Sequence, residues 1–332
     1  MYRQLLRAGR GDATSAIRGG KVPSPEHEQM VAEVIESGMR TPDELPPDDV
    51  LVAIRQAEAS TPPPVTSGCS VAPVDAGGVP GWVVTPDGPV PSSTILYLHG
   101  GGYLFMTARS HLAVMAALAV EARAVCIGID YRRAPEHPFP AAVNDAISAY
   151  QWLLDGGRHP KTIAVAGDSA GGGLALATLV ALRDRGTAMP AAAVCFSPWT
   201  DLAVTGASAD TADDPVVGRA ALRMMAAAYL DGADPTDPLA SPLYADLHGL
   251  PPLQIQVGDR ESLLNDARRF VERATAAGAM VSYLELPGVI HMWIVFGPDV
   301  PESKQAFAAA GSFLSDHLDQ ADGTGAGRLD DR

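Results

Sequence analysis

One short stretch of the chain has the residue types and spacing of a serine nucleophile. Gly167-Asp168-Ser169-Ala170-Gly171 follows the apolar run 162–166 and precedes an apolar, helix-like segment. A Gly-x-Ser-x-Gly motif in this position forms a tight turn that exposes the serine hydroxyl above a sheet. Glycines are needed on both sides because the turn leaves no room for neighbouring Cβ atoms. Ser169 is therefore the candidate nucleophile; the alternative is a glycine-rich turn that binds a phosphate or no ligand.

A serine hydroxyl is a weak nucleophile, so it needs a general base and an acid that orients the base. His291 is the candidate base because it follows the predicted strand 281–286 and fits the chain order serine, acid, histidine. Among the other histidines only His317, near the C-terminus, shares that order. The acid candidates are Asp259 and Glu261, which follow the predicted strand 253–257. Either carboxylate could orient the imidazole, and chain order leaves both open.

The tetrahedral intermediate of acyl transfer needs preorganised donors for its oxyanion. His99-Gly100-Gly101-Gly102-Tyr103 follows the apolar strand residues 94–98, and its glycines allow backbone N–H groups to approach a substrate closely. We expect the N–H groups of Gly101, Gly102 and Ala170 to form the oxyanion hole. The alternative is a flexible glycine-rich turn without a ligand.

Strands and helices alternate along most of the chain, which predicts an α/β fold with a mostly parallel central sheet flanked by helices. The predicted strands are 79–85, 94–99, 124–130, 162–166, 191–197, 253–257 and 281–286. The predicted helices of this core are 108–121, 141–154, 170–185, 263–277 and 301–318. Further helical patterns at 26–39, 50–59 and 219–229 indicate a helical cap made of two segments.

The positions of these patterns divide the chain into five parts. Residues 1–50 are the N-terminal helical cap segment, 51–200 and 251–318 are the two parts of the core, and 201–250 is a second cap segment. The interval 201–250 is too long for a simple crossover between strands. Residues 319–332 are rich in Gly and Asp and are predicted to be a disordered tail.

Composition excludes several other classes of protein. The hydrophobic share of 47% can fill a large core, and the formal net charge of −15 argues against nucleic acid or an anionic membrane as a partner. Cys69, Cys126 and Cys195 are too few for a disulfide framework and are predicted to be core residues. No run of 18 apolar residues occurs, so a cytoplasmic protein is the default expectation, although the arginine-rich N-terminus could mimic a transit peptide.

Four motifs together resemble one family, the bacterial hormone-sensitive-lipase-like esterases of the α/β-hydrolase superfamily. They are His99-Gly100-Gly101-Gly102-Tyr103, Asp130-Tyr131-Arg132-Arg133-Ala134-Pro135-Glu136-His137-Pro138-Phe139-Pro140, Gly167-Asp168-Ser169-Ala170-Gly171-Gly172 and Ser197-Pro198-Trp199-Thr200-Asp201. The resemblance covers roughly residues 51–317. It implies an α/β-hydrolase fold with a cap and a carboxylesterase that needs neither a metal nor an organic cofactor.

The resemblance also favours one of the two acids. The family commonly carries its acid in Asp-Pro-Leu-x-Asp-Glu, and matching this motif to Glu261-Ser262-Leu263-Leu264-Asn265-Asp266 puts Glu261 at the acid position. The 30 residues from Glu261 to His291 also resemble the family's spacing. The departures, a glutamate for the acid, Ser262 for proline, Arg133 for a common leucine and Trp293 for a common phenylalanine, indicate a subgroup.

We therefore expect a serine carboxylesterase for short- to medium-chain acyl esters, with a Ser169, His291 and Glu261 triad and an imidazole pKa of about 6 to 7. Asp168 adjoins the nucleophile on a tight turn, so we interpret it as a structural hydrogen-bonding residue. The alternatives are a lactonase or amidase with the same triad, or a non-catalytic small-molecule-binding protein like the plant gibberellin receptors. A homodimer through the last strand is a further expectation that rests on the family alone.

Overall fold

The structure is a computed structural model that describes residues 17–18, 23–61 and 66–319, with the backbone alone at 17, 18 and 59. Two predictions made from the sequence concern residues that lie mostly outside these ranges. The arginine-rich N-terminus, apart from residues 17–18, and the tail from residue 320 onward lie outside the described residues.

Nine strands of the described residues form one sheet. They are β1 (Ile17–Arg18), β2 (Cys69–Asp75), β3 (Pro80–Pro86), β4 (Thr94–Leu98), β5 (Val125–Ile129), β6 (Ile163–Asp168), β7 (Ala192–Phe196), β8 (Leu253–Gly258) and β9 (Val281–Leu286). Their order is β1-β9-β8-β7-β6-β4-β5-β3-β2. All neighbours are parallel except β5 with β3 and β3 with β2. The predicted α/β fold with a mostly parallel sheet is confirmed.

Helices flank this sheet and extend beyond one end of it. They are α1 (Pro25–Ser37), α2 (Asp48–Ser60), α3 (Leu112–Ala122), α4 (Ala141–Asp155), α5 (Ser169–Asp184), α6 (Ser208–Thr211), α7 (Arg219–Leu230), α8 (Leu264–Ala276), α9 (Trp293–Phe296) and α10 (Pro301–His317). Within the described ranges, no helix has both the length and the apolar character needed to cross a bilayer.

The two faces of the sheet belong to two hydrophobic cores. In β4, Leu96 and Leu98 pack into one core while Ile95 and Tyr97 pack into the other, because successive strand side chains point to opposite faces. Helices α4, α5 and α8 contribute to the first core, and α3 and α10 to the second. Helix α5 is buried from Ser169 to Leu182, so its position relative to the sheet is fixed on every side.

Two separate parts of the chain meet above the carboxyl ends of the strands. The Thr41 N–H, after α1, donates to the Val216 carbonyl, before α7, at 2.8 Å. Helix α7 is anchored below by Tyr229, whose ring stacks on Tyr103 at a centroid distance of 3.8 Å. Residues from α2 and α7 line the cavity described below.

Strand β2 and helix α9 were missed by the sequence analysis. Strand β2 contains Pro73, which argues against a strand in the interior of a sheet, but β2 is an edge strand, where proline is tolerated. Helix α9 is a single turn, too short for a periodic pattern. The predicted helix 108–121 begins as a 3-10 turn over Ala108–His111 and becomes α3 at Leu112.

The contact between α5 and β4 depends on Gly171. A Cβ atom built there would meet the backbone carbonyls of Leu98 and His99, which cannot move away as a flexible side chain can. We expect Gly171→Ala to lower the free energy of unfolding by about 3 kcal/mol, as measured by urea denaturation.

The matched control is Gly156→Ala at the exposed end of α4, where the nearest heavy atom to an added Cβ is 3.2 Å away. We expect that change to stay within about 1 kcal/mol. Equal losses in the two variants would contradict this account of the contact.

Candidate active site

Ser169 lies at the turn from β6 into α5 and has a φ of 53°. Such a backbone conformation is strained for a residue with a side chain and persists only where the surroundings enforce it. An added Cβ at Gly167 would collide with the Gly171 carbonyl, so the turn closes only with glycine there. The serine side chain is thus held at the carboxyl end of the sheet by β6 below and α5 behind.

His291 lies in the loop after β9 and joins the candidate nucleophile to a carboxylate. Its Nε2 is 2.9 Å from Ser169 Oγ, and its Nδ1 is 2.9 Å from Glu261 Oε2. The ring is 3% exposed and the Glu261 side chain is fully buried. With Nδ1 donating to the carboxylate, Nε2 is free to accept the serine proton. The structure therefore brings together three residues that lie 122 and 30 positions apart in the chain.

Two further groups hold Glu261 in place. Ser197 Oγ donates to Glu261 Oε1 at 2.7 Å, and the Gly258 N–H donates to the same oxygen at 2.6 Å. Ser197 itself has a φ of 47° at the end of β7. Ser197 begins the motif Ser197-Pro198-Trp199-Thr200-Asp201, but the motif does not predict this role. Its place directly after a buried strand, on the edge where the other candidates end, was the available signal.

Asp259, the alternative acid, lies elsewhere. Its side chain is exposed, and its Oδ1 accepts a hydrogen bond from the Gly288 N–H at 2.6 Å. Asp259 therefore fastens the turn after β9, whereas the carboxylate that contacts the imidazole belongs to Glu261.

Burial and hydrogen bonding act in opposite directions on the His291 imidazole. Burial disfavours the charged form, but the hydrogen bond and charge of Glu261, helped by the charges of Asp214 and Asp168, outweigh it and raise the pKa of His291 above 6.5. At Glu261 burial dominates and raises the pKa of the carboxyl, although His291, Ser197 and Gly258 all oppose that change. The imidazole can accept a proton only above its raised pKa.

The predicted oxyanion loop lies beside Ser169. Gly101 and Gly102 have φ values of 108° and 62°, and both line the same cavity as Ser169 and His291. A side chain at Gly102 would collide with Met225 of α7. The Ala170 N–H belongs to the first turn of α5, whose leading N–H groups have no acceptor within the helix. The predicted oxyanion loop and the first turn of α5 thus lie beside the same serine.

A buried ionic cluster supports this loop from below. Asp168 Oδ1 accepts hydrogen bonds from Tyr97 Oη at 2.6 Å and from the Gly100 N–H at 3.0 Å, and it lies 3.4 Å from His111 Nε2. Burial opposes both charges, but their attraction lowers the pKa of Asp168 and raises that of His111. His99 stays neutral, since burial and the neighbouring His111 lower its pKa to about 3. These contacts agree with a structural role for Asp168.

The loop after β5 connects the core to α2. Arg133 contacts the Glu58 carboxylate at 3.2 Å and donates to the Met106 carbonyl at 2.6 Å, while the Met106 N–H donates to Glu58 at 2.8 Å. Arg132 forms an ion pair with Asp145 at 2.7 Å. The loop therefore orders one wall of the site.

A cavity of about 350 Å³ opens above the serine and histidine. Its lining is mainly apolar and rich in thioether side chains: Met39, Ile54, Phe105, Met106, Trp199, Val216, Val217, Leu222, Met225, Met292 and Phe296. Two charged side chains, Arg40 and Glu58, also line the cavity. The Glu58 carboxylate forms an ion pair with Arg133. Across the described residues, no group of three or more His, Cys, Asp or Glu is placed to hold a metal ion.

The ion pair between Asp168 and His111 predicts a pH-dependent stability. The lowered pKa of Asp168 stabilises the fold above 3.8, and the raised pKa of His111 stabilises it below 6.5, with loss as pH rises through its folded value. Asp168→Asn should therefore lower the free energy of unfolding most between these two values, by about 3–5 kcal/mol.

Urea denaturation at a series of pH values measures this effect. Tyr97→Phe, which removes a single neutral donor to the same carboxylate, is the control and should cost about 1 kcal/mol with little dependence on pH. If Asp168→Asn lowers the free energy of unfolding equally at pH 5 and pH 9, the ion-pair explanation is contradicted.

Comparison with known proteins adds independent evidence. The profile of the α/β hydrolase fold matches residues 95–295. An acetyl-hydrolase of Streptomyces hygroscopicus is 51% identical over 223 residues, which cover 67% of this chain and 75% of that protein. An esterase of Acinetobacter venetianus is 38% identical over 224 residues, which cover 67% of this chain and 74% of that protein.

A solved structure of an esterase from the bacterial hormone-sensitive lipase family superimposes with a TM-score of 0.82. It is 42% identical, and the superposition covers 90% of this chain and 100% of that one. The chain therefore belongs to the α/β-hydrolase family, among the bacterial hormone-sensitive-lipase-like esterases.

Proposed function

We propose that this esterase is a serine carboxylesterase that cleaves short- to medium-chain acyl esters through a Ser169, His291 and Glu261 triad. One observation carries the proposal: a continuous chain of hydrogen bonds, each 2.9 Å long, runs from the Ser169 hydroxyl through His291 to Glu261 at the floor of an apolar cavity. A nucleophile, its base and the group that orients the base are thus in contact before any substrate binds.

The reaction proceeds in two acyl transfers. Ser169 Oγ attacks the ester carbonyl while His291 Nε2 takes its proton, and Glu261 stabilises the resulting imidazolium. The oxyanion accepts hydrogen bonds from the N–H groups of Gly101, Gly102 and Ala170, each worth about 3 kcal/mol. His291 then protonates the departing alcohol and leaves an acyl-enzyme. Water attacks the acyl-enzyme with His291 again as base, and the acid and free Ser169 are released.

The size of the cavity and its lining support a small or medium acyl group. Apolar side chains cover most of the wall, so an acyl chain gains free energy as it leaves water. The name of the Streptomyces relative, an acetyl-hydrolase, supports the small end of this range. Lactones and amides share the acyl chemistry and are distinguished by the leaving group, so they belong in the same assay.

The triad assignment predicts a clear order among four variants. With p-nitrophenyl butyrate, kcat should fall about 10⁶-fold in Ser169→Ala and about 10⁴-fold in Glu261→Gln. Asp259→Asn should keep nearly full activity, because that exposed carboxylate contacts Gly288 and not the imidazole. Ser197→Ala should lose about 10-fold through a less firmly held Glu261.

Circular dichroism of each variant is the control for folding. A loss in Asp259→Asn with full activity in Glu261→Gln would overturn the choice of acid. A folded wild-type protein that turns over no ester, lactone or amide of a matched panel would favour a binding protein on this fold.

The raised pKa of His291 predicts the pH dependence of the reaction. The base must be neutral, so kcat/KM should fall at acid pH with a half-maximal point above 6.5. Glu261→Gln removes the charge that most raises this pKa, so its half-maximal point should move down. A profile of the wild type that stays flat to pH 6 would contradict the prediction.

The acyl-chain preference can be tested at Met225, whose sulfur lies against Gly102. A series of p-nitrophenyl esters from acetate to decanoate should show kcat/KM falling for the longest chains. Met225→Ala should raise the relative rate on octanoate and decanoate, because the smaller side chain enlarges the cavity beside the oxyanion loop. Met224→Ala, one residue away and outside the cavity lining, is the matched control and should leave the series unchanged.

A further inference from the structure

Asp214 is a buried carboxylate outside the triad that the reaction scheme does not use. It is 7% exposed and lies in the segment before α7. Its Oδ2 accepts from the Ser262 N–H at 2.8 Å, and its Oδ1 accepts from the N–H groups of Val216 at 2.9 Å and Val217 at 3.4 Å. A buried carboxylate with three backbone donors is held in a single position.

These donors belong to two functionally different parts of the site. Val216 and Val217 line the cavity. Ser262 follows Glu261, the residue that orients the imidazole. A second link joins the same two parts, because Ser262 Oγ donates to the Val217 carbonyl at 2.7 Å. The position of the cavity wall is therefore coupled to the position of the carboxylate behind His291.

Asp214 lies close to the cavity that His291 lines, because it accepts hydrogen bonds from Val216 and Val217, which line the same cavity. Its neighbour Asp213 contacts Arg260 at 2.9 Å on the surface, but within the described residues Asp214 has no such ion pair. Burial raises the pKa of the Asp214 carboxyl, and the His291 imidazolium and the three N–H donors oppose that rise. Burial raises the free energy of an ionised carboxylate. A positive charge that forms nearby offsets this cost.

We infer that Asp214 is a positioning residue, which holds the cavity wall against the Glu261 loop and places a second negative charge beside the imidazolium formed during catalysis. The inference rests on the proposed function of the triad and adds to it. In this arrangement two carboxylates, Glu261 in the core and Asp214 in the segment before α7, both favour the protonated form of His291.

The carboxyl groups that raise the pKa of His291 come from three elements. They are Glu261 on the loop after β8, Asp214 on the segment before α7, and Asp168 at the end of β6. Asp168 is paired with His111, which offsets much of its effect at a distance. Removing the charge of Asp214 should therefore lower the pKa of His291, whereas a merely structural residue would leave that pKa in place.

The experiment compares Asp214→Asn with two controls that separate charge from tethering. Asp213→Asn makes the same change of charge one residue away, at a side chain that is 89% exposed. Ser262→Ala removes the second link between wall and loop without a change of charge. For each variant, kcat and KM are measured against pH with p-nitrophenyl butyrate, after circular dichroism has established the fold.

We expect Asp214→Asn to move the acid limb of kcat/KM down by about one pH unit and to raise KM. Ser262→Ala should raise KM several-fold with the limb unchanged, and Asp213→Asn should change neither. An unchanged limb in folded Asp214→Asn, or an equal shift in Asp213→Asn, would overturn the inference.

A second measurement does not depend on turnover. The pKa of the His291 ring can be titrated by NMR in Ser169→Ala, with and without Asp214→Asn or the smaller uncharged change Asp214→Ser. A fall of about one unit supports the inference even if the ester panel fails, and no change overturns it even if the panel succeeds. The failure of this inference and the failure of the proposed function are therefore distinguishable.

Discussion

The geometry of the site depends on how closely α5 approaches β4. Gly171 lies against the Leu98 and His99 carbonyls with no space for a Cβ, and this contact fixes the start of the helix relative to the sheet. Ser169, the first residue of the helix, must then adopt a φ of 53° to connect the two elements. The strain is sustained because α5 is buried along most of its length. Close packing of backbone thus sets the direction of the hydroxyl.

Charge is arranged around this rigid element in two layers. Below the oxyanion loop, Asp168 and His111 neutralise each other and hold Gly100 through its N–H. At the serine, Glu261 is surrounded by donors and contacts His291, which would carry the matching positive charge in the proposed reaction. The first layer stabilises a fixed structure, and in the proposed reaction the second would stabilise a transient charge. Preorganisation of both depends on backbone N–H groups that cannot reorient.

The sequence was sufficient for the fold and for naming three residues that the structure brings into contact. Ser169 was identified by its glycines and flanking elements, and His291 by chain order, whereas the choice of Glu261 over Asp259 needed the family resemblance. The contacts of Ser197 with Glu261 and of Asp214 with Ser262 could not be predicted, because these partners lie 64 and 48 positions away and only packing brings them together. Strand β2 was missed for a related reason: the tolerance for Pro73 follows from its place at the edge of the sheet.

The thioether lining of the cavity makes the site sensitive to oxidation. Met39, Met106, Met225 and Met292 give the wall flexible, polarizable side chains that adapt to different acyl groups. An oxidant that enters the cavity converts such side chains into polar sulfoxides and makes the wall hydrophilic. Cys126 and Cys195, by contrast, are buried in the sheet, where burial raises the pKa of their thiols and keeps them unreactive. Oxidative damage would thus begin at the substrate pocket while the core stays intact.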